Sequence, residues 1–241
     1  MKKEKVLKNN TFLCILGTTH KTDVIMDFIP SWIKNNPKGE MIVFDPHCVV
    51  VQSFGDYAKY SIDNDKDFKW VDKLLEVYKG KNEIPKLLIL NGGDILFPKP
   101  KEDKLKEQHP ELKSISRPPC PNKFMDLLAM RRLLNMDIII TFQTLDAMPI
   151  RLEYFVNNFI VLPILEEYEL DKKSPNYLNL DTCIKTINYY HKNYGKDFKK
   201  EYLFFSIEKN EIIAIDSIDK KKFKKSINKF KAIKKRVSIE M

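Results

Sequence analysis

The stretch FLCILGTTHKTDVIMDFI, residues 12–29, decides how this chain is read. Residues 12–16 are an apolar, β-compatible run. Gly17 breaks it, Lys21-Thr22 follows, and over residues 23–35 Val24, Phe28 and Trp32 recur four apart, as on one face of a helix. A strand turning into a helix is the local form of a phosphate-binding loop, because the unpaired N–H groups and positive dipole end of the helix can meet an anion there. In the standard pattern GxxxxGK[ST], the lysine reaches the β and γ phosphates and the hydroxyl after it holds Mg²⁺. Lys21-Thr22 supplies that pair, but His20 stands where the second glycine belongs and Ile15 where the first does. A structural turn with no ligand accounts for the pair equally well, so the rest of the chain has to decide.

Outward from this stretch the pattern alternates. Short apolar runs at 41–44, 87–90, 137–142 and 159–162 have the character of buried parallel strands, and helical stripes at 68–78 and 123–134 lie between them. Such alternation predicts βαβ units and a mostly parallel sheet with helices on both faces. After about residue 165 the pattern changes to a tyrosine- and lysine-rich helix near 181–193, two strands at 202–207 and 211–215 around a turn at Glu208-Lys209-Asn210, and a basic helix. We therefore expect a core over 1–165 and an extension over 166–241.

Composition bounds the class. With 241 residues and 43% hydrophobic residues the chain can bury a sizeable core. The apolar run after the basic start is too short for a signal-peptide core or a membrane span, which implies a cytoplasmic protein. Four cysteines with no CxxC pair encode neither a zinc site nor a disulfide framework. His47, His109 and His191 have no partners at metal-ligand spacing. The net charge of +9 is local: ten Lys/Arg and no acid lie in 220–236, leaving 32 basic against 33 acidic residues elsewhere. In that tail Phe223, Ile227, Phe230 and Ile233 form one helical stripe, which either packs on the domain or docks a partner while Lys221, Lys224 and Lys225 face phosphates.

In an open α/β sheet, ligands bind beyond the carboxyl ends of the strands. Those ends carry Gly17, Asp45-Pro46, Asn91-Gly92-Gly93-Asp94, and Thr141 with Gln143. Three of the seven glycines sit there, where close backbone approach or unusual dihedrals require them.

The succession ILGTTHKT, MIVFDPH, LLILNGGD, LLAMRRLLNMDIIITFQTLDAMP and NNFIVLP, spanning residues 12–163, resembles the FtsK/HerA superfamily of P-loop ATPases, which move DNA in viral packaging, conjugation and chromosome transfer. The resemblance implies a RecA-like domain. ATP would lie on Gly17, Thr18, Thr19, His20, Lys21 and Thr22, with Mg²⁺ at Thr22 and near Asn91. Gln143 would sense the γ-phosphate, and Arg131 or Arg132 would lie at a subunit interface of a homo-oligomeric ring, unless the pair is only an exposed helix face. The family's acidic pair after the third strand is here Asn91-Gly92, neither of which can act as a base, so Asp94 is the candidate replacement.

The proline- and lysine-rich segment 97–122 is either a solvated insertion or a DNA contact through Lys99, Lys101, Lys104 and Lys106. The expected function is a genome-packaging ATPase on double-stranded DNA in the host cytoplasm, working with a portal or capsid component. The alternative is an inactive P-loop subunit serving as a structural or adaptor component. A small-molecule kinase is disfavoured because no lid with paired arginines is visible.

Overall fold

The structure is a computed structural model that describes residues 10–62, 67–98, 117–165, 174–195, 201–214 and 218–237. Strand β1 (Phe12–Leu16) is buried throughout because it is flanked on both edges, pairing in parallel with β5 (Met136–Phe142) and β6 (Asn158–Val161). Its side chains alternate between two cores: Phe12, Cys14 and Leu16 enter one, Leu13 and Ile15 the other. The same alternation runs through β2 (Glu40–Phe44) and β4 (Lys86–Leu90), so these strands read as continuous apolar runs.

Among the described residues the sheet has eight strands in the order β3-β2-β4-β5-β1-β6-β7-β8, with β3 (Ala58–Ser61) at one edge. The first six strands are parallel, while β7 (Leu203–Ser206) adds antiparallel to β6 and β8 (Glu211–Ala214) antiparallel to β7. Helices α1 (Lys21–Asn35) and α2 (Val49–Phe54) cover one face through Val24, Phe28, Trp32 and Val50. The other face carries α3 (Lys69–Val77), α4 (Gly93–Leu96), α5 (Asn122–Met130), α6 (Ile150–Glu153) and α7 (Tyr177–Tyr194). The expected RecA-like class, a mostly parallel sheet with helices on both faces and a C-terminal hairpin and basic helix, is what the chain adopts.

The last helix, α8 (Lys220–Val237), packs on α7. Ile227 and Ser226 are buried, Phe223 lies against the core, the Phe230 ring meets Tyr189 edge-on at 6.0 Å, and the Lys229 ammonium sits 4.1 Å above the Tyr189 ring. Of the two roles open to the stripe, packing on the domain is the one observed for these residues. Helix α5 is shorter than its stripe because residues 131–135 turn sharply into β5, with Asn135 left-handed at φ 49°.

Three buried polar centres tie layers together. Asp137 accepts the Trp32 indole N–H at 2.9 Å and the Thr11 N–H at 2.7 Å, fixing α1 to the amino edge of β1 and β5. Glu153 takes Arg117 at 2.5 Å and the Ser174 hydroxyl at 2.6 Å, while Arg117 also donates to the Met148 carbonyl at 2.6 Å. The Lys86 ammonium, fully enclosed, donates to the carbonyls of Lys81, Ile84 and Leu134 at 2.7, 2.7 and 2.8 Å. Lys86→Met keeps the stem and leaves three carbonyls without that donor. It should lower stability in urea unfolding by about 2–3 kcal/mol, and a loss under about 0.5 kcal/mol would mean that water replaces the ammonium.

Candidate functional site

Gly17 ends β1 with its N–H on the Phe142 carbonyl at 3.1 Å, and a Cβ placed on it would lie 2.6 Å from the Leu162 Cβ. Only glycine lets the loop leave the sheet so close to the chain that follows β6. The Thr18 hydroxyl reaches the Pro163 carbonyl there at 3.4 Å, and Thr19 is exposed. His20 adopts φ 59°, ψ 14°, a left-handed conformation that glycine reaches without steric cost, and its Nδ1 lies 2.7 Å from the Asp23 carboxylate. Helix α1 starts at Lys21 without a side-chain cap hydrogen bond, and the Lys21 ammonium folds back onto the Gly17 carbonyl at 2.7 Å, which centres a cation in the loop.

Beside the loop, Asn91 gathers three strand ends and the start of α1. Its Nδ2 donates to the Thr22 hydroxyl at 3.0 Å and to the Asp45 carboxylate at 3.1 Å, and its Oδ1 accepts from the Thr141 hydroxyl at 3.3 Å. The amide orientation follows from this partner, because a carboxylate oxygen accepts and the amide nitrogen supplies the donor. Thr141 in turn receives the Gly92 N–H at 3.0 Å. Asn91, expected near the metal, turns the nitrogen of its amide to Thr22 and bridges it to Asp45. The second Asp45 oxygen accepts the Val50 N–H at 2.7 Å.

Gly92 has φ 126°, which L side chains rarely adopt, so no carboxylate fits at that position in this backbone. Gly93 is required by contact: a Cβ would fall 2.5 Å from the Phe142 ring. Asp94 turns towards β5 instead of solvent, and both its oxygens lie 3.1–3.2 Å from the Gln143 N–H. Burial pushes its carboxyl above the usual range, opposed by that hydrogen bond and by the nearby Lys21 charge. Gln143 is exposed at the end of β5, the strand between β1 and β4.

Gly17, Lys21, Thr22, Asn91, Asp94 and Gln143 therefore share one crevice. Arg131 and Arg132 do not join it. Arg131 is buried at the amino edge, donating to the Asn10 carbonyl at 3.4 Å and to Asn157 at 3.3 Å, with Arg132 exposed beside it. The seven residues of β5 set that edge about 20 Å from the loop. Lys221, Lys224 and Lys225 are exposed on α8, whereas Lys99, Lys101, Lys104 and Lys106 lie outside the described residues. The sequence places Asp45 at a strand end but does not disclose its role.

Because folding disfavours the ionised form of Asp94, its effect on stability has a definite sign. Below the ordinary aspartate range the carboxyl is neutral in both states and is without penalty; as pH rises through its raised folded value, stability is lost. Asp94→Asn should therefore melt higher than the wild type at pH 7, with the gap closing towards pH 3. A gap that persists at pH 3 would assign the effect to packing.

No family model and no curated protein matches the sequence. Solved structures do. The genome-packaging NTPase B204 from Sulfolobus turreted icosahedral virus 2 in complex with ATP-gammaS is 13% identical with a TM-score of 0.57, over 91% of this chain and 100% of that one. Its complex with AMPPCP is 14% identical with a TM-score of 0.55, over 87% and 98%. B204, the DNA-packaging ATPase from Sulfolobus turreted icosahedral virus, is 12% identical with a TM-score of 0.54, over 88% and 100%. At such identities the likeness speaks for the fold: this chain has the RecA-like P-loop NTPase architecture that these structures share.

Proposed function

We propose that this protein is a P-loop ATPase of the FtsK/HerA type that acts on double-stranded DNA in viral genome packaging. In this reading it works as a homo-oligomeric ring in the host cytoplasm, against a portal or capsid component. The observation that carries it is the crevice itself. Lys21 is centred in a loop after β1, and Thr22 is locked through Asn91 to the ends of β2 and β5, on a fold shared with packaging NTPases solved with ATP analogues. No helix among the described residues is long and apolar enough to cross a membrane.

ATP would lie on Gly17 to Thr22, its β and γ phosphates against the Lys21 ammonium and the start of α1. The Thr22 hydroxyl offers the hard oxygen that Mg²⁺ prefers, and the crevice carries carboxylates beside it. Held there, Mg²⁺ would supply charge neutralisation at the phosphoryl oxygens. Gln143 stands where a side chain can orient a water, and Asp94, near Lys21, supplies a carboxyl with a raised pKa on the same side. Arg132, exposed at the far edge, is the arginine available to a neighbouring subunit. The inactive-subunit reading draws on one observation, the lack of a side chain at Gly92, which leaves binding without turnover as its signature.

Calorimetry with MgATP tests the reading. Binding should be measurable, and Lys21→Ala should weaken it about 10- to 100-fold, the worth of a hydrogen bond to a charged group. No affinity at millimolar MgATP would refute the nucleotide site, and binding without hydrolysis in the presence of DNA would favour the inactive subunit.

Charge on α8 gives a second test. Because Ile227 and Ser226 are buried, truncation would disturb the domain, so exposed lysines are the better targets. Changing Lys221, Lys224 and Lys225 to Gln should weaken duplex binding and flatten the log–log salt dependence by about 0.9 for each phosphate no longer neutralised. An unchanged slope would move the DNA-binding surface away from α8.

A further inference from the structure

We infer that Asp45 supplies the carboxylate on the metal side of this site that the chain lacks after β4, acting as a positioning residue through Asn91 and Thr22. The inference rests on the nucleotide-site reading above. Two positions where a carboxylate would follow β4 are closed to one. Gly92 is held at φ 126°, a conformation that side chains rarely adopt. At position 91 a carboxylate would replace the Nδ2 donor that now lies 3.1 Å from the Asp45 oxygen, setting two like charges in contact in a buried corner. Asp94, the remaining acid of that segment, is turned to the Gln143 N–H.

Asp45 closes β2, the strand that pairs with β4 in the register Phe44 to Leu90, so its side chain comes beside Asn91 by sheet geometry. One of its oxygens accepts Asn91 and the other the Val50 N–H, with a longer bond of 3.4 Å from the His47 N–H to the first. A carboxylate has about four acceptor sites, so capacity remains for a metal-bound water. Asn91 then transmits the placement: its two N–H groups face Asp45 and Thr22, and its oxygen is fixed by Thr141. The carboxylate thus stands at the end of β2 and the amide after β4, with the negative charge in the corner that Asn91 joins to Thr22.

A paired carboxylate and amide predict their own rescue when swapped. The probe is AMPPCP, titrated by calorimetry with and without Mg²⁺, together with the melting temperature of each unliganded protein. In the wild type Mg²⁺ should strengthen binding about tenfold or more. Asp45→Asn should abolish that gain while leaving metal-free affinity within about threefold, since it removes a negative charge near the phosphates. Asn91→Asp should lower both the melting temperature and the metal-free affinity, because two carboxylates then face each other. The double variant Asp45→Asn/Asn91→Asp should recover the melting temperature and at least half of the Mg²⁺ gain on the logarithmic scale, which a purely structural cap on α2 would not do.

Asp45→Asn with an undiminished Mg²⁺ gain would overturn the inference while leaving the nucleotide site standing. So would an equal loss with and without the metal, or a double variant no better than the worse single one. A wild type that binds no AMPPCP under either condition would overturn both the nucleotide-site reading and this one.

Discussion

A primary amide has two N–H groups and one carbonyl oxygen, and at Asn91 all three are committed to different elements. Thr22 belongs to the start of α1, Asp45 to the end of β2 and Thr141 to β5. Because Asp45 can only accept, the amide cannot flip without setting two acceptors against each other. This single constraint gives the crevice its shape. It sets the Thr22 hydroxyl relative to the sheet, fixes the turn after β4 through Thr141 and the Gly92 N–H, and brings the carboxylate of β2 to the loop side. Satisfied networks of this kind in a buried setting specify one arrangement, since each broken bond leaves an unpaired group behind.

The sheet order makes that convergence possible. With β5 between β1 and β4, the ends of three adjacent strands face the loop, and β6 and β7 cover the other side of β1. Close approach is permitted by the absence of side chains at Gly17 and Gly93, each at a point where a Cβ would collide with a neighbour. Position 20 shows the other way to reach the same end: a histidine accepts the left-handed conformation and is held there with Asp23. The glycine expected at position 20 is thus a histidine in a conformation that glycine also adopts.

Much of this is legible in the sequence, for a physical reason. Strands buried on both faces are apolar along most of their length, so β1, β2, β4, β5 and β6 announce themselves, as do the stripes of α1, α3 and α7. Strand β3 escapes a sequence reading because four residues at a sheet edge, Ala-Lys-Tyr-Ser, carry no such signature. Helices α2, α4 and α6, of four to six residues, are too short to show a period. At the site, Gly17, Lys21, Thr22 and Gln143 are readable because they lie at fixed offsets from strand ends. Asp45 is not, because its partner Asn91 is 46 positions away and the pairing of β2 with β4 is invisible to local pattern. Arg131 precedes β5, so the strand sets it at the opposite edge of the sheet from the crevice.

The pair formed by Arg117 and Glu153 bears on how such a chain can change over generations. Both side chains are almost wholly enclosed, yet they are unequal in what they leave behind. If the arginine is lost first, the abandoned carboxyl can take up a proton and remain as a neutral group beside Ser174. If the glutamate goes first, a guanidinium that cannot shed its proton is stranded in the interior, with a penalty of about 3–5 kcal/mol. Of the two mutational routes to an apolar pair, one therefore passes through a tolerable intermediate and the other through a protein short of much of its stability. Lineages that replace this pair should carry glutamate without arginine far more often than the reverse.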